Sequence, residues 1–172
     1  MKLEALRRED MSKLLEWRNA FPEAWRDPRP TTITQQYEWF DSSVSHSNNG
    51  RYWGFYEVGH FRAQSEITSI IWESRIGEIG LIVDPKLRKL GMGKDLLLAT
   101  LTQAWNTLNL KTVWGECYEC NDACNFWMKC VKEWNGYLTI LKNRKYWNGK
   151  FYDSIYFSWD RETTQDKVEA AG

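Results

Sequence analysis

The sequence predicts an α/β protein built on a mixed, mostly antiparallel twisted sheet of about seven strands, with helices on both faces. Three observations carry that expectation. Residues 52–58, 65–72 and 78–83 are strand-like runs separated by short turns, the pattern of an antiparallel meander. Two helical patterns, 93–106 and 122–134, flank a run at 111–118 rich in β-branched and aromatic residues, so strands 78–83 and 111–118 should form a parallel pair joined by a helix. Near the end, Asn148-Gly149 precedes the alternating Ile155, Phe157 and Trp159, the strongest two-residue hairpin signal.

Each element has its own warrant. Residues 1–7 read as a short first strand. Asp10 is placed to cap a helix whose Met11, Leu14 and Leu15 share a face. Asp27-Pro28-Arg29-Pro30 breaks the chain, because two prolines so close cannot sit inside a helix. Thr32-Ile33-Thr34-Gln35 has capping-box spacing, and Ile33, Tyr37, Phe40 and Val44 recur at helical intervals. The Ser- and Asn-rich segment 42–50 reads as a loop. Gly59-His60 and Glu73-Ser74-Arg75 are the turns of the meander. In 93–106, Leu97, Leu98, Leu101, Ala104 and Trp105 gather on one side. In 122–134, Ala123, Phe126, Trp127, Cys130, Val131 and Trp134 follow helical spacing without a miss. Beyond Asp160 the chain is polar and expected to fray. The expected division is one domain over 1–160 and a polar tail over 161–172.

Composition narrows the classes. A chain of 172 residues suits one domain with a substantial core. No apolar run approaches the roughly 18 residues of a membrane span, so no membrane association is expected. The N-terminal residues alternate charge with apolar side chains and do not resemble a signal peptide, so a cytoplasmic location is expected. Lys plus Arg and Asp plus Glu balance at 23 each, which argues against a broad nucleic-acid footprint. The 11 Trp, 8 Tyr and 7 Phe stand out. Most belong to core and sheet, but aromatic faces also attract cationic amines and stack on sugars or bases.

The informative segment runs from Glu78 to Lys94. A buried strand enters a turn with Arg88-x-x-Gly91-x-Gly93, and a helix starts directly after it. Glycines let backbone approach a ligand closely, and the first turn of a helix offers free N–H groups to an anion. Arg88 and Lys94 bracket the turn with positive charge. The segment therefore reads as a pyrophosphate cradle. Its spacing is neither that of a P-loop nor that of a dinucleotide fold.

Arg88-x-x-Gly91-x-Gly93 after the strand Leu81-Ile82-Val83 resembles the coenzyme-A-binding motif of the GNAT acyltransferase superfamily. Asn121 opening a helix and the stretch Gly149 to Asp153 resemble the ribosomal-protein N-acetyltransferase branch. Trp17-Arg18-Asn19 and Trp39-Phe40 resemble the acceptor-side helices of that branch and of amino-sugar acetyltransferases. The resemblance spans Leu3 to Trp159. It implies an N-acetyltransferase using acetyl-CoA as donor, with no metal, acting on a primary amine by direct attack in a ternary complex. By the same resemblance, Ile82 and Val83 would pair with the pantetheine amides, and Arg88, Lys89, Leu90, Gly91, Met92, Gly93 and Lys94 would surround the pyrophosphate. Asn121 would bond the pantetheine arm, Glu78 would be the base, and Trp17, Trp25, Arg29 and Trp39 would lie on the acceptor side. The strand pair should splay to admit the arm. A homodimer is the expected assembly.

The proton donor departs from the family pattern. Its usual tyrosine, seven residues after the Asn, falls on Met128 here, and the serine position of the ribosomal-protein branch holds Cys124. Cys124 becomes the candidate acid, with Tyr118 a further one. The four cysteines between 117 and 130 invite a metal reading, but Cys130 only completes the apolar stripe of its helix, so reduced buried thiols are expected. Two rival functions stay open: a catalytically inactive acyl-CoA-binding regulatory module, and a thiol or metal sensor. The acceptor also stays open among a protein N-terminus, an amino sugar, a polyamine and an aminated nucleobase.

Overall fold

In the computed structural model, which describes residues 1–170, seven strands form one sheet in the order β1-β2-β3-β4-β5-β7-β6. They are β1 (Leu3–Ala5), β2 (Arg51–Glu57), β3 (His60–Ile71), β4 (Ile76–Val83), β5 (Thr112–Tyr118), β6 (Tyr137–Trp147) and β7 (Lys150–Asp160). Only β4 and β5 run parallel; the other neighbours are antiparallel. The helices are α1 (Met11–Ala20), α2 (Ile33–Trp39), α3 (Met92–Thr102), α4 (Cys124–Glu133) and α5 (Arg161–Ala170). The predicted sheet and its parallel pair are present. Among the described residues, no helix is long and apolar enough to cross a membrane.

Alternation along the strands gives each face its own core. Ile79 packs with Leu97, Leu101, Trp105, Trp127, Trp134 and Phe157 beneath α3, α4 and β7. Ile82, three residues on, packs with Met11, Leu14, Trp17 and Phe61 beneath α1. The capping box at α2 forms as predicted: Thr32 Oγ1 accepts the Gln35 N–H, and the Gln35 side chain accepts the Thr32 N–H. Asp10 sits at the start of α1 but does not cap it. Its carboxylate accepts the Tyr56 hydroxyl at 2.6 Å instead.

Two expectations need correction. The α2 stripe is not led by Ile33, which is exposed; Gln36 is the buried residue, its amide against Met11 Sδ. The polar tail does not fray over its described part. It forms α5, and Thr164 and Val168 are buried, Val168 within the larger core. With eight polar or charged residues among its ten, and Thr164 and Val168 as its buried positions, this helix gives little periodicity to read. The last two positions of that tail lie outside the described residues.

The junction of the parallel strands positions the site. Pairing of β4 with β5 stops at Glu78↔Trp114. Residues 79–83 and 115–118 then continue without pairing to each other, while β4 stays paired with β3 as far as Val83 and β5 with β7 as far as Tyr118. The result is the expected splay, held open from both sides.

Candidate active site

The cleft between the splayed strands has a volume of about 220 Å³. Its walls include Glu78, Gly80, Leu81 and Ile82 of β4, Glu116, Cys117 and Tyr118 of β5, and Asn121 beyond. The far edges of Ile82 and Val83 lack a strand partner, so they can pair with an extended ligand. Past Val83, Arg88 lines the cleft with its guanidinium 3.6 Å over the Phe21 ring. Burial lowers the pKa of that guanidinium, and Asp122 and Glu23 raise it.

The loop entering α3 has the backbone of an anion site. Lys89 and Gly91 both adopt positive φ, 65° and 91°. Gly91 is the N-cap of α3, and no side chain caps that helix. With the Lys94 N–H bonded to Gly91 O at 2.9 Å, the N–H groups of Met92 and Gly93 are left for an external acceptor. A Cβ on Gly91 would meet nothing within 4 Å, whereas one on Gly93 would come within 3.4 Å of the Phe126 ring. Gly91 is thus required by its left-handed backbone, whereas a Cβ at Gly93 would make only ordinary contact with Phe126 of α4. Lys94 turns away to pair with Glu133 at 2.6 Å, and Leu90 is exposed. Asn121 is held by the Ala123 N–H bonded to its Oδ1 at 2.9 Å. An uncapped helix start, a cation and an unpaired strand edge in one line fit a phosphate-bearing ligand with an amide-rich arm.

Beside the cleft lies a second cavity of about 320 Å³. Trp25, Trp39 and Tyr52 form aromatic walls, with Arg18, Gln64 and Glu66 among its polar groups. Trp39 meets Tyr52 edge to face at 5.4 Å, and Trp25 Nε1 donates to Arg18 O at 2.9 Å. Glu66 also lines the cleft, so the two spaces meet there.

The sequence-predicted residues divide. Glu78 lines the cleft, but Arg26 binds both of its oxygens, Nη1 to Oε2 at 3.3 Å and Nη2 to Oε1. Arg26 also lies 3.7 Å from Glu116, which accepts the Ser154 hydroxyl at 2.6 Å. Cys124 is 8% exposed, packs in the larger core and is not among the cleft residues. Its neighbour Cys117 is also a free thiol, and the nearby Cys124 thiol together with burial pushes its pKa well up. The i, i+3 position that suggested Cys124 is simply the buried side of α4. Met128 is 38% exposed. Trp17 does not reach the acceptor cavity; it stacks on Phe61 at 4.9 Å in the smaller core. Arg29 pairs with Asp27 in solvent and lines a separate hollow of about 260 Å³ with Trp25, Pro28 and Trp147. Trp25 and Trp39 line the second cavity.

Sequence reasoning missed Glu66, Gln64, Tyr52 and the clamp of Arg26 on Glu78. The one available signal was the run Gln64, Glu66, Thr68 alternating with buried Ser65 and Ile67 on a strand. Such alternation usually marks a solvated face.

The acetyltransferase (GNAT) domain family model matches residues 1–128 of this chain. No curated protein matches it. Among solved structures, the spermidine N-acetyltransferase of Vibrio cholerae in complex with CoA and spermine is similar at a TM-score of 0.82 and 18% identity, covering 94% of this chain and 96% of that one. A point mutant of the same Vibrio cholerae enzyme gives 0.81 at 17% identity with both chains fully covered. Its dodecameric form in an intermediate state gives 0.77 at 18%, covering 94% of each. The family match, spanning the loop, the splay and both cavities, shows that this chain belongs to the GNAT family of acetyltransferases, enzymes that move an acetyl group to an amine.

Proposed function

We propose that the chain transfers the acetyl group of acetyl-CoA to a small, positively charged aliphatic amine by direct attack in a ternary complex. The observation that carries this reading is the meeting of two spaces. The cleft has an unpaired strand edge, and Arg88 on its wall leads into the uncapped start of α3, both suited to the donor. The adjoining cavity has aromatic walls and a carboxylate suited to an ammonium. A polyamine fits these walls better than an amino sugar, and spermidine is the substrate named for the similar Vibrio cholerae proteins. In this reading one N-acetyltransferase domain spans the described chain, Arg88 to Gly93 hold the pyrophosphate, and Asn121 orients the arm. Glu78 and Arg26 close the floor where the thioester would rest. The protein works as a homo-oligomer, as one similar structure does.

Coenzyme A at about a hundred times its Kd should stabilise the protein by about 2.7 kcal/mol, read as a rise in melting temperature. Gly91→Val should remove that rise, since positive φ strains a β-branched residue and its side chain would fill the open space the phosphates need. Acetyl-CoA with spermidine or putrescine should release free thiol and yield an acetylated amine by mass. A full thermal shift in Gly91→Val would remove the loop from the donor site. A thermal shift with no thiol release from any amine would favour the inactive binding module, which the methionine at position 128 suggests.

A further inference from the structure

Glu66 occupies a position that folding alone does not explain. It stands where cleft and acceptor cavity meet, since Trp25, Glu66, Thr68 and Ile82 line both. Burial is the main influence raising its pKa, Glu78 across the strand pair adds to it, and Arg18 from α1 opposes it. Gln64 Nε2 donates to its Oε2 at 2.9 Å. Among the described residues no ion pair reaches Glu66. Tyr52, facing the same cavity from β2, is neutral, its hydroxyl pushed up to about 12 by burial. A half-buried carboxylate that lines two cavities at once and has no ion pair suits a place where a ligand brings the charge.

The opposing strand makes room for it. Glu66 pairs with Gly80 across β3 and β4. A Cβ on Gly80 would fall 2.6 Å from Glu66 Oε1 and 2.9 Å from its Cγ. Gly80 has no positive φ to demand glycine, so the vacancy over its Cα is used by the Glu66 side chain. The other two carboxylates of the cleft are differently placed. Arg26 holds Glu78, while Glu116 has Arg26 at 3.7 Å and Arg144 at 3.6 Å.

We infer that Glu66 is the catalytic residue that receives the acceptor: it binds the incoming ammonium where the two cavities join and takes its proton, a task for which the Arg26-bound Glu78 is not free. This rests on the acetyl-transfer reading above. The step balances. The ammonium gives one proton to Glu66, and the amine lone pair bonds the acyl carbon as the carbon–sulfur bond breaks. The departing thiolate takes up one proton from the cleft, the second proton lost by the nitrogen makes that one good, and Glu66 returns its proton to solvent.

The test uses the full chain with spermidine, putrescine and butylamine as probes, read by turnover with acetyl-CoA and by calorimetric binding of the amine alone. Glu66→Gln should lower kcat/KM for the best amine by about 10²–10⁴-fold and weaken amine binding at least about tenfold. Its coenzyme A thermal shift should stay whole. Its melting temperature at neutral pH should rise, because a carboxyl with a raised folded-state pKa loses stability as pH climbs from the unfolded value toward the folded one. Gly80→Ala, which only pushes the carboxylate aside, should raise KM more than it lowers kcat. Glu66→Gln turning over within about threefold of the parent, on that same scale, would overturn the inference. So would a joint loss of amine and coenzyme binding, or a parent that binds none of the three amines. A parent that binds amine through Glu66 yet acetylates none would sink the acetyl-transfer reading and leave the ammonium site standing.

Discussion

Arg26 decides which acidic group beside the cleft is held and which is left open, by clamping Glu78 with both terminal guanidinium nitrogens. The same guanidinium bears on Tyr118, the one tyrosine lining the cleft among the described residues. Burial raises the Tyr118 phenol, with Glu116 adding and Arg26 opposing, so it stays protonated at neutral pH and can give its proton to a departing thiolate. Tyr118→Phe should therefore lower turnover by about 10²-fold with coenzyme A affinity unchanged. Cys124→Ala should stay within about threefold of the parent on that scale and show its cost as a lower melting temperature. The reverse ranking, measured at saturating acetyl-CoA, would return the donor role to the thiol. At this scale the sequence was legible where function is local. Arg88, Gly91 and Asn121 announce themselves within one strand, turn and helix start. Glu66 does not, because its meaning depends on a glycine 14 positions away that becomes its neighbour only through strand register.

Elements were legible in proportion to how much apolar surface they bury. The stripe of α4 was readable because Trp127, Cys130, Val131 and Trp134 are buried, with Ala123 and Phe126 half-buried against the same core. The hairpin turn was readable because Asn148 and Gly149 both need positive φ, as they have. The C-terminal helix α5 was not, since Thr164 and Val168 are its buried anchors in an otherwise polar sequence. Those anchors still matter. Val168 is 1% exposed and belongs to the core that includes Leu101, Trp134 and Trp159. Val168→Ala removes two methylenes' worth of burial and leaves a small cavity, costing about 1–3 kcal/mol. For a domain of this size the melting temperature should drop by roughly 2–4 °C per kcal/mol. An unchanged melting temperature would mean that α5 is not docked in solution. Glu162→Ala, at an exposed position of the same helix, serves as the control and should shift little.

At the scale of the molecule, the two ends of the sheet are unequal. One edge is β1, three residues long, too short to invite pairing. The other is β6, eleven residues long with no strand beyond it. Tyr137, Leu138, Ile140 and Tyr146 of β6 are exposed, as is Phe151 of β7 beside them. An open edge with unpaired backbone and apolar side chains is a template for another strand unless it is covered. Lys142 and Arg144 lie along it but do not shield the Tyr137–Ile140 end, and Lys142 is already neutralised by Asp153 at 2.6 Å. The occupant that suits it is a second copy of this chain, because identical edges can pair about a two-fold axis and satisfy each other's backbone. The protein should therefore sediment well above the 20.4 kDa of one chain. Ile140→Lys combined with Leu138→Lys should return it to monomer without lowering its melting temperature by more than the loss of the interface explains. No residue of β6 lines the cleft or the second cavity, and its contacts with their walls come from Arg144 and Lys145, not from Leu138 or Ile140. The monomeric variant should accordingly keep its coenzyme A thermal shift, and a parent that sediments as a monomer at tens of micromolar would refute the edge as a self-association surface.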